Sequence, residues 1–199
     1  MCKNMPPLEM AIQFHGHICP GLLMGVRVAE FALQHLQVSP DQDEELLAVV
    51  ETNSCGVDAI QAILGCTFGK GNLIFQDYGK NAYTIASREQ KRAVRIARKF
   101  DPQPHPDSER YRVLNHQTVL TDAQTSEKEN LLGAIFERIM STPFEEMFTW
   151  QEVDFELPPR AQIYQTVQCA ICGEGVMEPR TINTAQGYLC IPCAQTKGV

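Results

Sequence analysis

The sequence predicts an α+β protein in two parts, a mixed α/β domain with antiparallel hairpins over residues 1–160 and a small cysteine-rich domain over residues 161–199. Helical and strand-like segments alternate irregularly, with hairpin signatures between them instead of regular strand–helix–strand units. Pro158 and Pro159 mark the boundary, after which two closely spaced cysteine pairs appear. These observations favour α+β over a doubly wound parallel sheet.

The composition indicates an ordinary soluble globular protein. Of 199 residues, 44% are hydrophobic and 21% are charged, and the formal net charge is −7. The negative charge weighs against nonspecific binding to nucleic acid. No run of 18 apolar residues predicts a membrane span, and residues 1–7 contain no apolar core of a signal peptide. We therefore expect a cytoplasmic protein.

Elements of the first half follow from local patterns. A helix is predicted to begin at Pro20, because apolar residues recur from Leu22 to Leu36 at spacings of three and four. Residues 46–50 read as a strand buried on both faces. The next helix ends at Gly65, which suits a left-handed C-terminal position. If Ser54 or Cys55 caps that helix, its positive end lowers the pKa of the Cys55 thiol.

The middle of the chain predicts a hairpin and further helices. Residues 73–78 and 82–86 flank the turn residues 79–81, a β-hairpin signature. A Ser87-x-x-Gln90 capping box then predicts a helix with a basic face over residues 88–99. Such a face is ordinarily solvated, and whether it binds an anionic partner is left open. A second box at Ser126 and Glu129 predicts another helix, and residues 153–157 alternate as a half-buried strand.

The cysteine-rich end predicts a zinc ribbon. Cys169 and Cys172 form one C-x-x-C pair, Cys190 and Cys193 form another, and residues 173–189 separate them, which is 17 residues. Four thiolates complete a tetrahedral site and leave no position for water, so this zinc is expected to be structural. A rubredoxin-like iron site and a redox dithiol pair are the alternatives. Residues 172–180 also resemble the zinc fingers of DnaK-suppressor (DksA-like) and TraR-type regulators.

A second group of soft ligands lies in the first half. His17 and Cys19 precede the turn at Pro20, and Cys55 follows the buried strand. Held by these three, a zinc or other transition-metal ion would keep one open position, the pattern of a catalytic or exchangeable site. His17 is favoured over His15 because it is nearer to Cys19. A redox or disulfide pair of Cys19 and Cys55 is the alternative.

Three further residues complete this hypothesis. Asp58 is the nearby acid or base, and with Cys55 it is the candidate catalytic pair. Cys66 follows a helix-ending glycine and is either a further ligand or a small buried residue. Lys70 lies in a glycine-rich turn that lacks the strand and helix of a phosphate loop, and we expect it to line the same cleft as Cys55.

The motifs H-G-H-x-C-P-G, C-x-x-D-A-I-Q and G-C-T-x-G-K-G-N resemble those of the formylmethanofuran dehydrogenase E-subunit family (FmdE-like proteins). Its motif residues correspond here to His17, Cys19, Cys55 and Asp58. The resemblance implies a homodimer and a link to one-carbon or molybdenum- and tungsten-enzyme metabolism, including such an enzyme complex as partner. It does not define a reaction.

Three functions remain open from the sequence. The chain is either a metal-dependent enzyme or accessory protein of one, a metal-delivery module, or a regulatory or assembly protein that acts through the ribbon. An enzyme needs a concave pocket with an open ligand position beside an acid or base. A delivery module needs labile metal and exposed thiols.

Overall fold

The computed structural model describes residues 5–198, in two compact units. The first unit ends at Arg160 and the second begins at Ala161. Helices and mixed sheets confirm the α+β class. Within the described residues, no helix has the length and apolar character needed to cross a membrane.

The first unit contains six α-helices, one short π-helix and five strands among its described residues. In chain order they are α1 (Pro7–His15), α2 (Pro20–Leu36), β1 (Leu46–Val50), α3 (Gly56–Ala59), the π-helix (Ile60–Leu64), β2 (Leu73–Phe75), β3 (Ala82–Ser87), β4 (Arg92–Arg98), α4 (Pro106–Asn115), α5 (Asp122–Ser141), α6 (Phe144–Met147) and β5 (Phe148–Glu152). The predicted helix at Pro20, the buried strand at 46–50 and the left-handed glycine at 65 are confirmed.

The five strands form one sheet in the order β2-β1-β3-β4-β5. Only β1 and β2 are parallel; the other neighbours are antiparallel. One face carries alternate residues into the main core beneath the helices. These strand residues are Leu46, Ala48, Val50, Tyr83, Ile85, Val94, Ile96 and Phe148. Helix α2 is the main helical contribution to that core, with nine buried residues.

The predicted hairpin between residues 73–78 and 82–86 is wrong, because β1 lies between these two strands. The connecting segment instead crosses the carboxyl end of β1. The amide of Gln76 donates to the carbonyl of Val50 at 2.9 Å, and the amide of Lys80 donates to the carbonyl of Glu51 at 2.9 Å. The turn signal was real, but pairing depends on a distant strand that a local pattern does not report.

The predicted basic helix at 88–99 is also wrong. Ser87 and Gln90 lie in the turn of a β3–β4 hairpin, where the Gln90 amide donates to the Ser87 hydroxyl at 3.2 Å. The basic residues are therefore distributed along a strand. Arg92 pairs with Glu152, and Arg95 pairs with Glu51, so the expected continuous basic surface does not form.

Other boundaries differ from expectation. Residues 122–125 belong to α5, which is capped by Thr121 and Gln124 in a reciprocal capping box five residues before the predicted one (126 minus 121). Residues 153–157 follow β5 without being assigned to a strand, although their burial alternates as predicted. Arg27 of α2 donates to the carbonyls of Met140 and Thr142 at the end of α5, at 3.2 and 3.0 Å.

The glycine-rich turn around Lys70 is a structural device. The side chain of Asp41 is fully buried and pairs with the Lys70 ammonium. It also accepts from the Asn72 amide at 3.0 Å and from the Leu46 backbone at 2.8 Å. Leu46 begins β1, whereas Cys55 follows the other end of that strand. The expectation that Lys70 lines the cleft of Cys55 is therefore wrong.

The helices α2 and α3 approach each other through glycines. A Cβ on Gly25 would lie 2.6 Å from the Cα of Gly56, and a Cβ on Gly56 would collide with the Tyr83 hydroxyl. Real Cβ atoms do not approach so closely, so both positions require glycine. This contact fixes the start of α2 against the start of α3.

We expect Gly25→Ala to lower the free energy of unfolding by about 1–3 kcal/mol or more, because backbone atoms of Gly56 occupy the space of the new methyl group. The measurement is urea unfolding of the purified chain. The matched control is Gly133→Ala in α5, where nothing lies within 4 Å of an added Cβ. That variant should be neutral or more stable by up to about 1 kcal/mol. Equal effects at both positions would contradict the close helix contact.

The second unit is built from two small hairpins and a terminal helix. Its described elements are β6 (Thr166–Gln168), β7 (Gly175–Met177), a 3₁₀ turn (Glu178–Arg180), β8 (Thr181–Thr184), β9 (Gly187–Cys190) and α7 (Ile191–Lys197). Strand β6 pairs with β7, and β8 pairs with β9, both antiparallel. Its small core contains Cys169, Leu189, Cys190 and Ala194.

Candidate metal centres

Cys19 lies at the start of α2, where it is the N-cap residue. Its backbone is extended, and its Sγ accepts a hydrogen bond from the Leu22 amide at 3.4 Å. Amides at the start of a helix favour a thiolate. The sequence assigned this environment to Cys55. The structure instead gives it to Cys19, at the end of a 17-residue helix.

His15 is the last residue of α1, which Gly16 ends in a left-handed conformation. Its Nδ1 lies 2.6 Å from Oδ2 of Asp58, while its Nε2 lies 3.8 Å from Sγ of Cys19. Asp58 also accepts from the Gln61 side-chain amide at 3.3 Å. A carboxylate on one ring nitrogen, with the other nitrogen facing a thiol, is the arrangement of a metal-binding imidazole.

His17 completes a three-residue group. Its ring lies 4.5 Å from the ring of His15, centroid to centroid, and it is exposed. One ligand atom each from His15, His17 and Cys19 can be chosen so that all lie within 4.8 Å of one another. Sequence reasoning favoured His17 and left His15 open. The structure brings both to Cys19, and His15 is the more buried of the two, with its carboxylate partner.

Cys55 lies beside Cys19 but outside that group. A Cβ placed on Gly21 would be 3.2 Å from Cβ of Cys55 and 4.0 Å from Sγ of Cys19, so the two thiols flank one glycine. Cys55 is the N-cap residue of α3, and its side chain makes no capping hydrogen bond. Burial raises the pKa of its thiol, and Cys19 raises it further. The lowered pKa expected from the sequence is therefore wrong.

Cys66 is a core residue. It is fully buried, and burial raises the pKa of its thiol to about 12, with the charge of Asp41 acting in the same direction. Among the described residues it is not part of either group that could hold a metal ion. Of the two roles that the sequence left open for it, the structure supports a small buried side chain.

The four cysteines of the second unit converge. Sγ atoms of Cys169, Cys172, Cys190 and Cys193 all lie within 4.8 Å of one another, and Cys172 and Cys190 are 3.9 Å apart. Backbone amides, that of Cys190 foremost, lower the pKa of Cys169 to about 6. The amide of Cys190 donates to Cys169 Sγ at 3.4 Å. Four thiols with such donors are a group that could hold a metal ion.

Two cavities of the first unit lie away from the histidine–cysteine group. One of about 610 Å³ is lined by α4 and α5 residues, among them Glu127 and Leu131. The other, of about 300 Å³, is lined by residues 37–46 and 87–90. Neither includes His15, His17, Cys19 or Cys55, so the cleft that the sequence predicted around these residues stays a prediction.

The fold and these two groups define an α+β protein with a mixed histidine–thiol centre and a separate four-thiol centre, both able to hold a metal ion. A family model described as "FmdE, Molybdenum formylmethanofuran dehydrogenase operon" matches residues 14–149. The chain therefore belongs to the FmdE family, as its motifs indicated.

A curated relative and a solved structure are similar to the chain. A protein of Archaeoglobus fulgidus named "Probable S-adenosyl-L-methionine-binding protein" is 33% identical over 195 residues, which cover 94% of this chain and 52% of the relative. The chain thus spans about half the length of that relative. A tungsten formylmethanofuran dehydrogenase FmdE-like protein of Syntrophus aciditrophicus has the same fold, with a TM-score of 0.64 and 22% identity over 96% of this chain and 92% of that one.

Burial of Cys66 predicts a loss of stability at alkaline pH. The thiol has a pKa of about 12 in the folded chain and 9.0 when unfolded. The folded pKa is raised, so its contribution is complete below pH 9 and is lost as pH rises from 9 towards 12. The unfolding free energy should fall by about 1.4 kcal/mol per pH unit for this thiol.

Urea unfolding at several values between pH 8 and pH 11 measures that slope. Tyr83 also titrates late, with its pKa raised to about 12 by burial, and contributes above pH 10. Cys66→Ala should flatten the decline by the share of one thiol, whatever its effect on stability at pH 8. An identical slope in the variant would show that Cys66 ionises equally in both states.

Proposed function

We propose that the first unit binds a transition-metal ion, zinc in the first instance, through His15, His17 and Cys19. Two imidazoles and one thiolate are three ligands of the kind that zinc takes, and a tetrahedral ion would keep its fourth position for a small molecule. The observation that carries this proposal is His15, whose Nδ1 is held by Asp58 and whose Nε2 faces Cys19.

Within this proposal, Asp58 and Cys55 take different roles. Asp58 is engaged by His15 and Gln61, so it is a positioning residue that holds the imidazole in one tautomer. Cys55 lies beside Cys19 and is partly exposed. It is the group available to act on a molecule at the fourth position. We further propose that the four cysteines of the second unit hold a structural zinc.

Metal content per chain, measured by elemental mass spectrometry, tests these sites. We expect two metal ions in the wild type and one in His15→Ala and Cys19→Ala. Cys172→Ala should also lose one ion, from the other unit. Cys55→Ala should retain both, because the three proposed ligands of the first unit remain. Asp58→Asn should keep the ligands but weaken metal affinity by about 10–100-fold, as removal of such a partner does.

One metal ion in both the wild type and Cys19→Ala would refute the first-unit site. Cys19 and Cys55 would then be a redox or packing pair. A loss of the first-unit metal in Cys55→Ala with retention in His15→Ala would instead support the ligand set His17, Cys19 and Cys55 that the sequence favoured.

As a function, we propose a metal-dependent enzyme, or an accessory protein of one, in one-carbon metabolism. The family's description refers to a molybdenum formylmethanofuran dehydrogenase operon, and the Archaeoglobus relative is named for S-adenosyl-L-methionine, a methyl donor. A soft metal with a free position suits a sulfur-bearing or formyl-bearing molecule. A homodimer, and assembly with a molybdenum or tungsten enzyme, are proposed as partners on the same basis, with the cytoplasm as the compartment.

Metal delivery is the second candidate function. Two observations favour it: His17 is exposed, and the two cavities described above do not include the histidine–cysteine group. In that case the ion is cargo, and its release has to be fast. An enzyme or its accessory protein would hold the ion through many turnovers.

A chelator competition separates the two functions. We expect the enzyme form to lose its first-unit zinc to a colorimetric chelator over hours, and a carrier to lose it within minutes. The four-thiol site of the same molecule serves as an internal standard, because a closed structural site exchanges slowly. The variant Cys172→Ala, which lacks that standard, assigns the fast and slow phases to their units.

A further inference from the structure

The sheet ends in a polar row beside the thiols. The amide of Arg98 donates to the carbonyl of Asn81 at 2.9 Å, so these residues are opposite one another on β4 and just before β3. Tyr83 is two residues after Asn81 and opposite Ile96. Residues opposite or two apart share a face of a sheet. Since Tyr83 and Ile96 face the helices, Asn81 and Arg98 are on that face too.

Two buried polar atoms in this row have no hydrogen-bond partner among the described residues. They are Oδ1 of Asn81 and the hydroxyl oxygen of Tyr83, a residue that is 0% exposed. Buried polar atoms are nearly always paired, because an unpaired one destabilises the fold. Two such atoms on neighbouring positions of one face indicate that something else completes their hydrogen bonds.

Arg98 adds an unpaired charge to the same row. Arg92 and Arg95 of the same strand bind Glu152 and Glu51, whereas Arg98 has no ion pair within residues 5–198. Its charge acts on Tyr83 by lowering the pKa of the phenol, against the burial that raises it to about 12. The phenol therefore stays protonated at neutral pH and can donate a hydrogen bond.

This row adjoins the proposed metal centre. The Tyr83 hydroxyl lies against the Cα of Gly56, which directly follows Cys55 and which must be glycine for that reason. Ser54, on the other side of Cys55, is also close enough to influence the phenol. Arg98, Tyr83 and Asn81 thus lie on the sheet face that the Cys55 loop meets.

We propose that Arg98, Tyr83 and Asn81 form a subsite for the α-amino carboxylate of a small molecule whose other end reaches the metal centre. A guanidinium and a phenol donate to a carboxylate, and the unpaired Oδ1 of Asn81 accepts from an adjacent ammonium group. A lone carboxylate would leave Asn81 unpaired. A lone amine would face Arg98.

The inference rests on the proposed metal-dependent function for its second half only, since the subsite itself needs no metal ion. Three probes distinguish its parts. L-Methionine carries a soft sulfur, an ammonium and a carboxylate. 3-(Methylthio)propionate lacks the ammonium, and 3-(methylthio)propylamine lacks the carboxylate. Isothermal titration calorimetry of each probe against the full chain, with metal content measured on the same sample, gives the affinities.

L-Methionine should bind, and each truncated probe should bind at least about tenfold more weakly, as expected when one charge-assisted hydrogen bond is removed. Arg98→Gln and Tyr83→Phe should each weaken L-methionine binding by about tenfold or more without changing the metal content. The matched control is Arg92→Gln, on the same strand and face but paired with Glu152, which should remain within about twofold of the wild type.

Tyr83→Phe has a second readout that separates ligand binding from a structural role. Removing an unpaired buried hydroxyl should raise the thermal midpoint of the ligand-free chain, while the midpoint increase on adding L-methionine becomes smaller. The inference is overturned if the propylamine binds as tightly as L-methionine, if Arg98→Gln binds as the wild type does, or if no probe binds. Binding that persists in a metal-free chain supports the subsite and counts only against the metal centre.

Discussion

The contact between Gly25 of α2 and Gly56 of α3 is the constraint on which the first centre depends. No side chain separates the two helices there, so their starting residues are held at backbone distance. Cys19 precedes α2 and Cys55 precedes α3, which brings two thiols from distant parts of the chain around Gly21. The same contact leaves room for one phenol, that of Tyr83, beneath Gly56. Thiols and phenol are therefore placed by packing, before any ligand is considered.

The two centres differ in how they are built. In the second unit, two C-x-x-C pairs on short hairpins bring four thiols together, and local backbone amides support them. Such a group needs few distant contacts. In the first unit, His15 ends one helix, Cys19 begins the next, and Asp58 comes from a third element. That arrangement depends on tertiary structure, and its members differ in exposure, from a largely buried His15 to an exposed His17.

Local signals predicted much of the fold. The stripe of α2, the buried run of β1 and the left-handed Gly65 depend on neighbouring residues, and the sequence reports these directly. The errors are of another kind. Strand β1 inserts between β2 and β3, and β4 takes its identity from pairing with β3 and β5, which residues 88–99 alone do not encode. A helical spacing of Ala93, Ile96 and Ala97 is equally compatible with a buried strand.

The candidate site was predicted in composition and missed in orientation. Sequence proximity favoured His17, yet the end of α1 at Gly16 aims His15 towards Asp58 and Cys19. An available signal was the spacing of four between His15 and Cys19, together with an aspartate in the neighbouring motif. Tyr83 had no signal of its own, because its role depends on Gly56, which is 27 positions earlier (83 minus 56) and on another element.

Helix α1 has nine residues, too few for a helix to persist in water by itself, and Ala11 is its one fully buried member. It is held by contacts with α2, α3 and the π-helix, and by the bond between His15 and Asp58. An ion bound by His15 and Cys19 would fasten its end to the start of α2. The helical order of residues 7–15 and the occupancy of the site then become one equilibrium, and the amide protons of α1 would exchange with solvent at a rate that reports whether the ion is bound.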